Sequence, residues 1–127
     1  MKTIRQHYLV NASPEEVFAA ITNPFTIELW SGYPAQMEAK EGTEFSIFDG
    51  DIAGRNLKIV ENQQLVQEWY FGDSPEQSLV TIDLKAHKEG TRILLEHTNV
   101  PDEEYDDFLE GWNEYYWGAI KEFFRQG

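Results

Sequence analysis

The stretch that most limits what this chain can fold into is its last, from Val100 to Gln126. Pro101 is the only proline in it and is followed by Asp102, Glu103 and Glu104, acids that suit the positive end of a helix dipole. Lys121 and Arg125 suit the other end. At 100° per residue, Tyr105, Phe108, Trp112, Tyr115, Tyr116, Ala119 and Phe123 fall within about a third of the circumference. Glu103, Asp107, Glu110, Glu114 and Lys121 take the opposite side. No other stretch reads as a long helix. A broad apolar surface must receive this aromatic face.

The rest of the chain supplies that surface as strands. Lys2 to Val10 alternates, with Ile4, Tyr8 and Val10 on one side and Arg5 and His7 on the other. Ser13-Pro14-Glu15-Glu16 is a capping box with proline at the first helical position, opening a short helix through Val17, Phe18 and Ile21. Asn23-Pro24 ends it and caps a second small turn running to Trp30. Ser31 to Lys40 is turn-rich, with room for one short edge strand. Then come Phe45–Phe48, a two-residue Asp49-Gly50 hairpin turn, and Ile52–Val60. Asn62-Gln63 turns into Leu65–Phe71, Gly72-Asp73-Ser74-Pro75 forms a longer loop, and Leu79–Ala86 alternates again with Val80, Ile82 and Leu84 inward. Glu89-Gly90 leads into Arg92–Thr98, with Ile93, Leu95 and His97 on one face.

Strands joined by short turns form an antiparallel meander, one face of which must be covered. The final helix is the element long enough to do it. The expected architecture is α+β: a curved antiparallel sheet of about six or seven strands around a long C-terminal helix, with two short helices after the first strand. Linkers, repeats and low-complexity segments are absent, so residues 1–127 read as one domain, a length that supports a single core without staples.

Charge and composition narrow the function classes. With 23 acids against 10 bases the formal charge is −13, and there is no basic footprint for nucleic acid or an anionic membrane. The absence of cysteine removes disulfides, thiolate metal sites and a cysteine nucleophile. No apolar run approaches the roughly 18 residues of a membrane span, and Met1–Arg5 opens a strand, not a signal peptide, which makes the cytoplasm the expected location. From Asp102 to Glu114 there are seven acids and no Lys, Arg or His. That run reads as a solvated helix face or as a docking patch for a basic partner.

The order of elements, together with particular residues, resembles the START-like superfamily, and within it the branch related to the activator of heat-shock protein 90 ATPase. Those residues are Pro14, Val17 and Ala20 in the first helix, Trp30 after the second, and Gly42, Phe45, Asp49-Gly50 and Gly54 through the hairpin. Trp69, Ser78-Leu79-Val80, Thr91 through His97 and Gly111-Trp112 complete the set. The likeness covers nearly the whole chain, and the order and spacing of these short motifs carry it. Glu61-Asn62-Gln63-Gln64 departs from the proline-containing turn common there, and Tyr115, Tyr116 and Trp117 stand where aliphatics are more usual. The resemblance implies a helix-grip fold and, commonly, an internal cavity for an apolar or amphipathic small molecule. It also implies a chaperone as a partner, although co-chaperone members carry a further N-terminal domain that this sequence does not include.

Candidate wall residues for such a cavity, between the C-terminal helix and the sheet, are Trp30, Phe45, Trp69, Phe71, Ile82, Leu95, His97, Phe108, Trp112, Tyr115 and Tyr116. Phe108, Trp112 and Phe123 also suit plain core filling, each burying on the order of 150–250 Å². Tyr115 and Tyr116 are the candidates for orienting a ligand, because buried phenols want a hydrogen-bond partner. His97 reads as a hydrogen-bonded core residue; a metal site would need two or three more converging ligands, and His7 and His87 face elsewhere. No metal or cofactor is expected. Glu68 and Asp83 should point to solvent, and no acid and base support one another as an enzyme would need. The leading reading is a protein that binds a small apolar or aromatic ligand, the alternative is a chaperone-associated interaction module, and a cyclase or aromatase therefore ranks last.

Two glycines in the last helix cost about 1 kcal/mol each relative to alanine and call for a reason. Close approach of backbone is the expected reason for Gly111, while for Gly118 close approach and a cavity mouth stay open. Trp117 falls about 140° from Trp112 on the polar side, as an exposed anchor through which a homodimer would form.

Overall fold

The molecule is described here from a computed structural model that places residues 1–72 and 76–126. Strand β1 (Lys2–Val10) leads through α1 (Pro14–Thr22) and α2 (Pro24–Ser31) into β2 (Glu44–Ile47), β3 (Ile52–Val60), β4 (Gln64–Trp69), β5 (Ser78–His87) and β6 (Gly90–Val100). The strands form one antiparallel sheet of six in the order β1-β6-β5-β4-β3-β2. The first strand thus joins the far edge of the meander, beside the last. Ser31 to Lys40 contributes a lone bridge, Gln36 to Ser46, in place of a further strand. Of the loop expected at Gly72-Asp73-Ser74-Pro75, the last three residues lie outside the described residues.

Period-two alternation sets the sheet's two faces. Ile4, Tyr8 and Val10 turn inward opposite His97, Ile93 and Thr91, and Ile93 and Leu95 of the same strand sit opposite Leu84 and Ile82. The outer face carries Arg5–Glu96 and Arg55–Glu68 ion pairs, at 2.9 and 3.8 Å, and a Gln64–Asp83 hydrogen bond. Exposed pairs of this kind add about 0–1 kcal/mol each, so the inner face carries the stability. Irregular register at Lys2/Ile4 and between Asn56 and Lys58 accompanies the bend of the sheet.

Local chemistry places the two short helices as expected. Ser13 Oγ accepts from the Glu16 amide and Glu16 Oε1 accepts from the Ser13 amide, closing the capping box. Asn23 Oδ1 then accepts from the Phe25 and Thr26 amides. Trp30 Nε1 donates to the Ala20 carbonyl at 2.7 Å and locks α2 onto α1. These helices share in covering the sheet, α1 against β5 and β6 and α2 against the C-terminal helix.

The β2–β3 connection is longer than expected: pairing ends at Ile47 and Ile52, leaving a four-residue loop, Phe48 to Asp51, in place of a two-residue Asp49-Gly50 turn. The Gly50 amide donates to the Ile47 carbonyl, so Phe48 and Asp49 are the central residues of its first turn, both at φ 54°. A bulky residue in this region costs on the order of 1–3 kcal/mol. The Phe48 ring offsets part of that by packing edge-on against Trp30, with centroids 6.0 Å apart.

The C-terminal element lies across the sheet but is not one uniform helix. A 3₁₀ turn (Asp102–Glu104) leads into α3 (Tyr105–Glu110), then a π-helical segment (Gly111–Tyr116), then α4 (Trp117–Gln126). The Trp117 amide donates to the Trp112 carbonyl, five residues back. One extra residue in that turn rotates everything after it by about 100° relative to a uniform helix. Trp117, expected on the polar side, is consequently 0% exposed and stacks on Tyr8 at 5.7 Å. Tyr115, expected inside, is 60% exposed.

Candidate functional site

Inward-facing aromatics from sheet and helix meet beneath the π segment. Trp69, ending β4, stacks on Trp112 with centroids 4.7 Å apart and planes at 22°. Tyr116 lies against both Trp112 and Trp30. Offset and edge-on pairs of this kind add about 0.5–1.5 kcal/mol each beyond their burial. Side chains therefore fill the space directly between helix and sheet at these residues.

His97 sits at the centre of this packing, wholly buried. Trp112 Nε1 donates to His97 Nδ1 at 3.0 Å, which makes Nδ1 the unprotonated nitrogen. His97 Nε2–H then donates to Ser78 Oγ at 2.8 Å, and the Ser78 hydroxyl donates to the Thr98 carbonyl at 3.0 Å. Every proton in the chain Trp112–His97–Ser78–Thr98 is used. Burial also pulls the imidazole down to about 3. A ring held neutral, with both nitrogens committed, positions Trp112 and leaves no proton to exchange.

A second buried relay runs outward from the same tryptophan pair. Trp69 Nε1 donates to Gln67 Oε1, Gln67 Nε2 to Asn56 Oδ1, and Asn56 Nδ2 to the Glu38 carbonyl, at 3.0, 2.8 and 3.0 Å. It ties the floor of the site to the loop before β2. On the other flank Tyr8 Oη donates to Asn113 Oδ1 at 2.7 Å, and burial raises that phenol to about 12. Burial raises the Tyr116 phenol as well.

The open space lies beside this packing, as two grooves. One, of about 530 Å³, runs between the β2–β3 loop, the end of α2 and the helix from Asp107 to Ala119. The other, of about 750 Å³, runs between Ile52, Trp69 to Gly72 and Pro101 to Phe108. They meet at Asp51, Ile52, Trp69 and Phe108. Trp69, Phe71, Phe108, Trp112, Tyr115 and Tyr116 all line these grooves. Of these, Trp69, Trp112 and Tyr116 are core residues at 4% exposure or less that border the grooves at their margins, whereas Trp30, Phe45, Ile82, Leu95 and His97, also expected on the wall, line neither groove. Alternation shows which way a side chain points but not how deep it lies.

Groove residues that sequence reasoning did not single out come from the loops: Tyr33, Phe48, Asp49 and Asp51, with Ile52 at the start of β3. Phe48 faces inward only because its positive φ turns the chain there. The two helix glycines separate clearly. A Cβ on Gly118 would lie 2.6 Å from the Asn113 carbonyl oxygen, five residues back across the wide turn. A Cβ on Gly111 would meet nothing within 4 Å and would project into the groove, so close approach is not what Gly111 serves.

The buried position of Trp117 also removes it as a contact between copies of the chain. Large exposed apolar side chains lie elsewhere: Phe25 and Leu29, one turn apart on α2, with Tyr33 and Tyr115 on the lip of the smaller groove. Among the described residues no group of three or more His, Cys, Asp or Glu side chains is arranged to hold a metal ion, and no helix is long and apolar enough to cross a membrane.

Comparison with known proteins agrees with the architecture. The chain is 31% identical over 127 residues to the human activator of 90 kDa heat shock protein ATPase homolog 1, covering 98% of this chain and 37% of that protein. It spans a little over a third of the length of the curated relatives it matches. The crystal structure of an HSP90 activator from Plasmodium falciparum superposes with a TM-score of 0.83 at 27% identity, covering 96% of this chain and 94% of that one. The solution structure of the Aha1 dimer from Colwellia psychrerythraea shares the fold, with a TM-score of 0.82 at 17% identity over 98% and 96% of the two chains. The family model for Activator of Hsp90 ATPase homolog 1-like protein matches residues 11–125, and the chain belongs to that family.

Proposed function

We propose that this domain is a chaperone-associated interaction module of the heat-shock protein 90 ATPase activator type. The observation that carries the reading is the exposed apolar face of α2 and the adjacent groove lip, where Phe25 is 77% and Leu29 71% exposed. Large side chains held in water on a short helix are a cost to a solitary domain and an asset at a contact. The groove at the end of α2 is acidic, with Asp49, Asp51, Asp107 and Glu114 in its lining and no Lys, Arg or His, and so favours a partner surface bearing basic groups. The relatives named as activators of the 90 kDa heat shock protein ATPase supply the class of partner. Mixing the domain with a heat-shock protein 90 homologue and following ATP hydrolysis tests the reading. Stimulation that is lost in a Phe25→Ser, Leu29→Ser variant supports it. An unchanged rate with the wild-type domain, with no complex on a sizing column, contradicts it.

A second reading has its own support in the grooves. Their aromatic lining and individual volumes suit a small apolar or amphipathic molecule, since such sites run to about 300–1,000 Å³. Trp69, Phe108, Trp112 and Tyr116 would form its floor, and Tyr115 its lip.

A further inference from the structure

The smaller groove has a charge pattern that narrows its occupant. Asp49 and Asp51 approach it from the β2–β3 loop, and Asp107 and Glu114 face them from the helix. No Lys, Arg or His contributes to its lining. None of these four carboxylates forms an ion pair among the described residues. From the helix, Asp107, Gly111 and Glu114 all line the groove. Gly111 between the two acids keeps open space where any other residue would place a side chain. Glycine there costs about 1 kcal/mol against alanine, with no neighbouring backbone to require it. The aromatic side chains of the groove that stay accessible beside the acids are Tyr33, Phe48, Phe108 and Tyr115, with the margins of the buried Trp69, Trp112 and Tyr116 behind them.

The geometry points to the smaller groove as a binding site for an organic cation, an amine or quaternary ammonium carried on an apolar body. The inference rests on the second reading above, that the groove holds a small molecule. The cationic head sits between the loop acids and the helix acids, where the aromatic rings add a cation–π attraction. The apolar body lies along Trp69 and Phe108 toward the larger groove. Fatty acids and aromatic acids, equal in apolar content, are disfavoured by the same four carboxylates. Because the acids are at the rim, their contribution is screened over a Debye length of about 8 Å at physiological salt, and binding of the cation weakens as salt is raised.

Three probes with one tail test it: octyltrimethylammonium, octanol and octanoate, each titrated below micelle formation while amide and tryptophan side-chain NMR shifts are followed. The expected result is that the ammonium perturbs the Trp69 and Trp112 indoles and binds at least about tenfold more tightly than octanol, with octanoate weaker still. Asp107→Asn, Glu114→Gln should remove most of that preference. Glu61→Gln, Glu89→Gln, which removes the same two negative charges at a distance, should leave it. Equal affinity for octanol and the ammonium overturns the charge inference while the groove reading stands. Equal loss in both double variants overturns it too, because the attraction is then to the protein's overall charge. Absence of any shift at either indole with all three probes overturns the inference and the groove reading together.

Discussion

The carbonyl of Trp112 accepts from the amide of Trp117, not from that of Tyr116, and this one hydrogen bond sets which aromatic side chains of the last helix are core. It buries Trp117 against Tyr8, turns Tyr115 out to the groove lip, and brings the Asn113 carbonyl over Gly118.

Gly118 and Gly111 should therefore respond oppositely to the same substitution. Gly118→Ala places a methyl group 2.6 Å from a backbone oxygen and must distort the π turn, at a cost of about 1–3 kcal/mol. Gly111→Ala meets nothing and should be neutral or stabilising by up to about 1 kcal/mol. Urea denaturation of the two variants checks this. Equal effects would mean the wide turn does not constrain position 118.

Trp117→Ala removes a large, fully buried side chain and should destabilise by about 3–5 kcal/mol. Its mass by light scattering should match that of the wild type, because a buried indole cannot bridge two copies. Tyr8→Phe, which loses only the 2.7 Å bond to Asn113, should cost about 1 kcal/mol in the same denaturation assay.

The His97 network gives the stability a pH dependence of known sign. Its folded pKa is lowered to about 3 from the ordinary 6.5, so below 6.5 the unfolded chain takes up a proton that the folded protein refuses. The contribution is whole above 6.5 and is lost progressively as pH falls toward 3, at up to about 1.4 kcal/mol per pH unit. His97→Gln should be less stable at pH 7, since Trp112 Nε1 and Ser78 lose a shaped partner. Its further loss between pH 7 and pH 5 should be smaller than that of the wild type by roughly 2 kcal/mol. Parallel stability curves for the two proteins would show that His97 takes up protons in the folded state.

Strand positions and helix caps were legible because each rests on local chemistry: two-residue alternation from Val80 to Leu84, and Ser13 and Asn23 at helix starts. The phase of the last helix was not, because a wheel of constant 100° steps cannot register an extra residue in one turn. Two signs of it were nonetheless in the sequence, Trp117 on an otherwise acidic side and Gly118 directly after it. Depth was a separate loss. Ile82, Leu95 and His97 point inward as read, but central strands lie under α1 and the helix, while Phe71, just past the end of β4, reaches open space and the buried Trp69 only borders it. Asp49 and Asp51 join the site through a four-residue loop that opens on Phe48, where sequence alone suggested a two-residue Asp-Gly turn.

The proposed role depends most on the apolar face of α2 and the groove lip being where a chaperone docks. Titrating an unlabelled heat-shock protein 90 homologue into the ¹⁵N-labelled domain and following amide shifts tests this directly. The account predicts that amides at Phe25, Leu29, Tyr33 and Tyr115 shift or broaden first, and that Phe25→Ser, Leu29→Ser lowers affinity by about tenfold or more. Shifts confined to the outer face of the sheet, around His7, Lys85 and Arg92, with the double variant binding as tightly as the wild type, would contradict it.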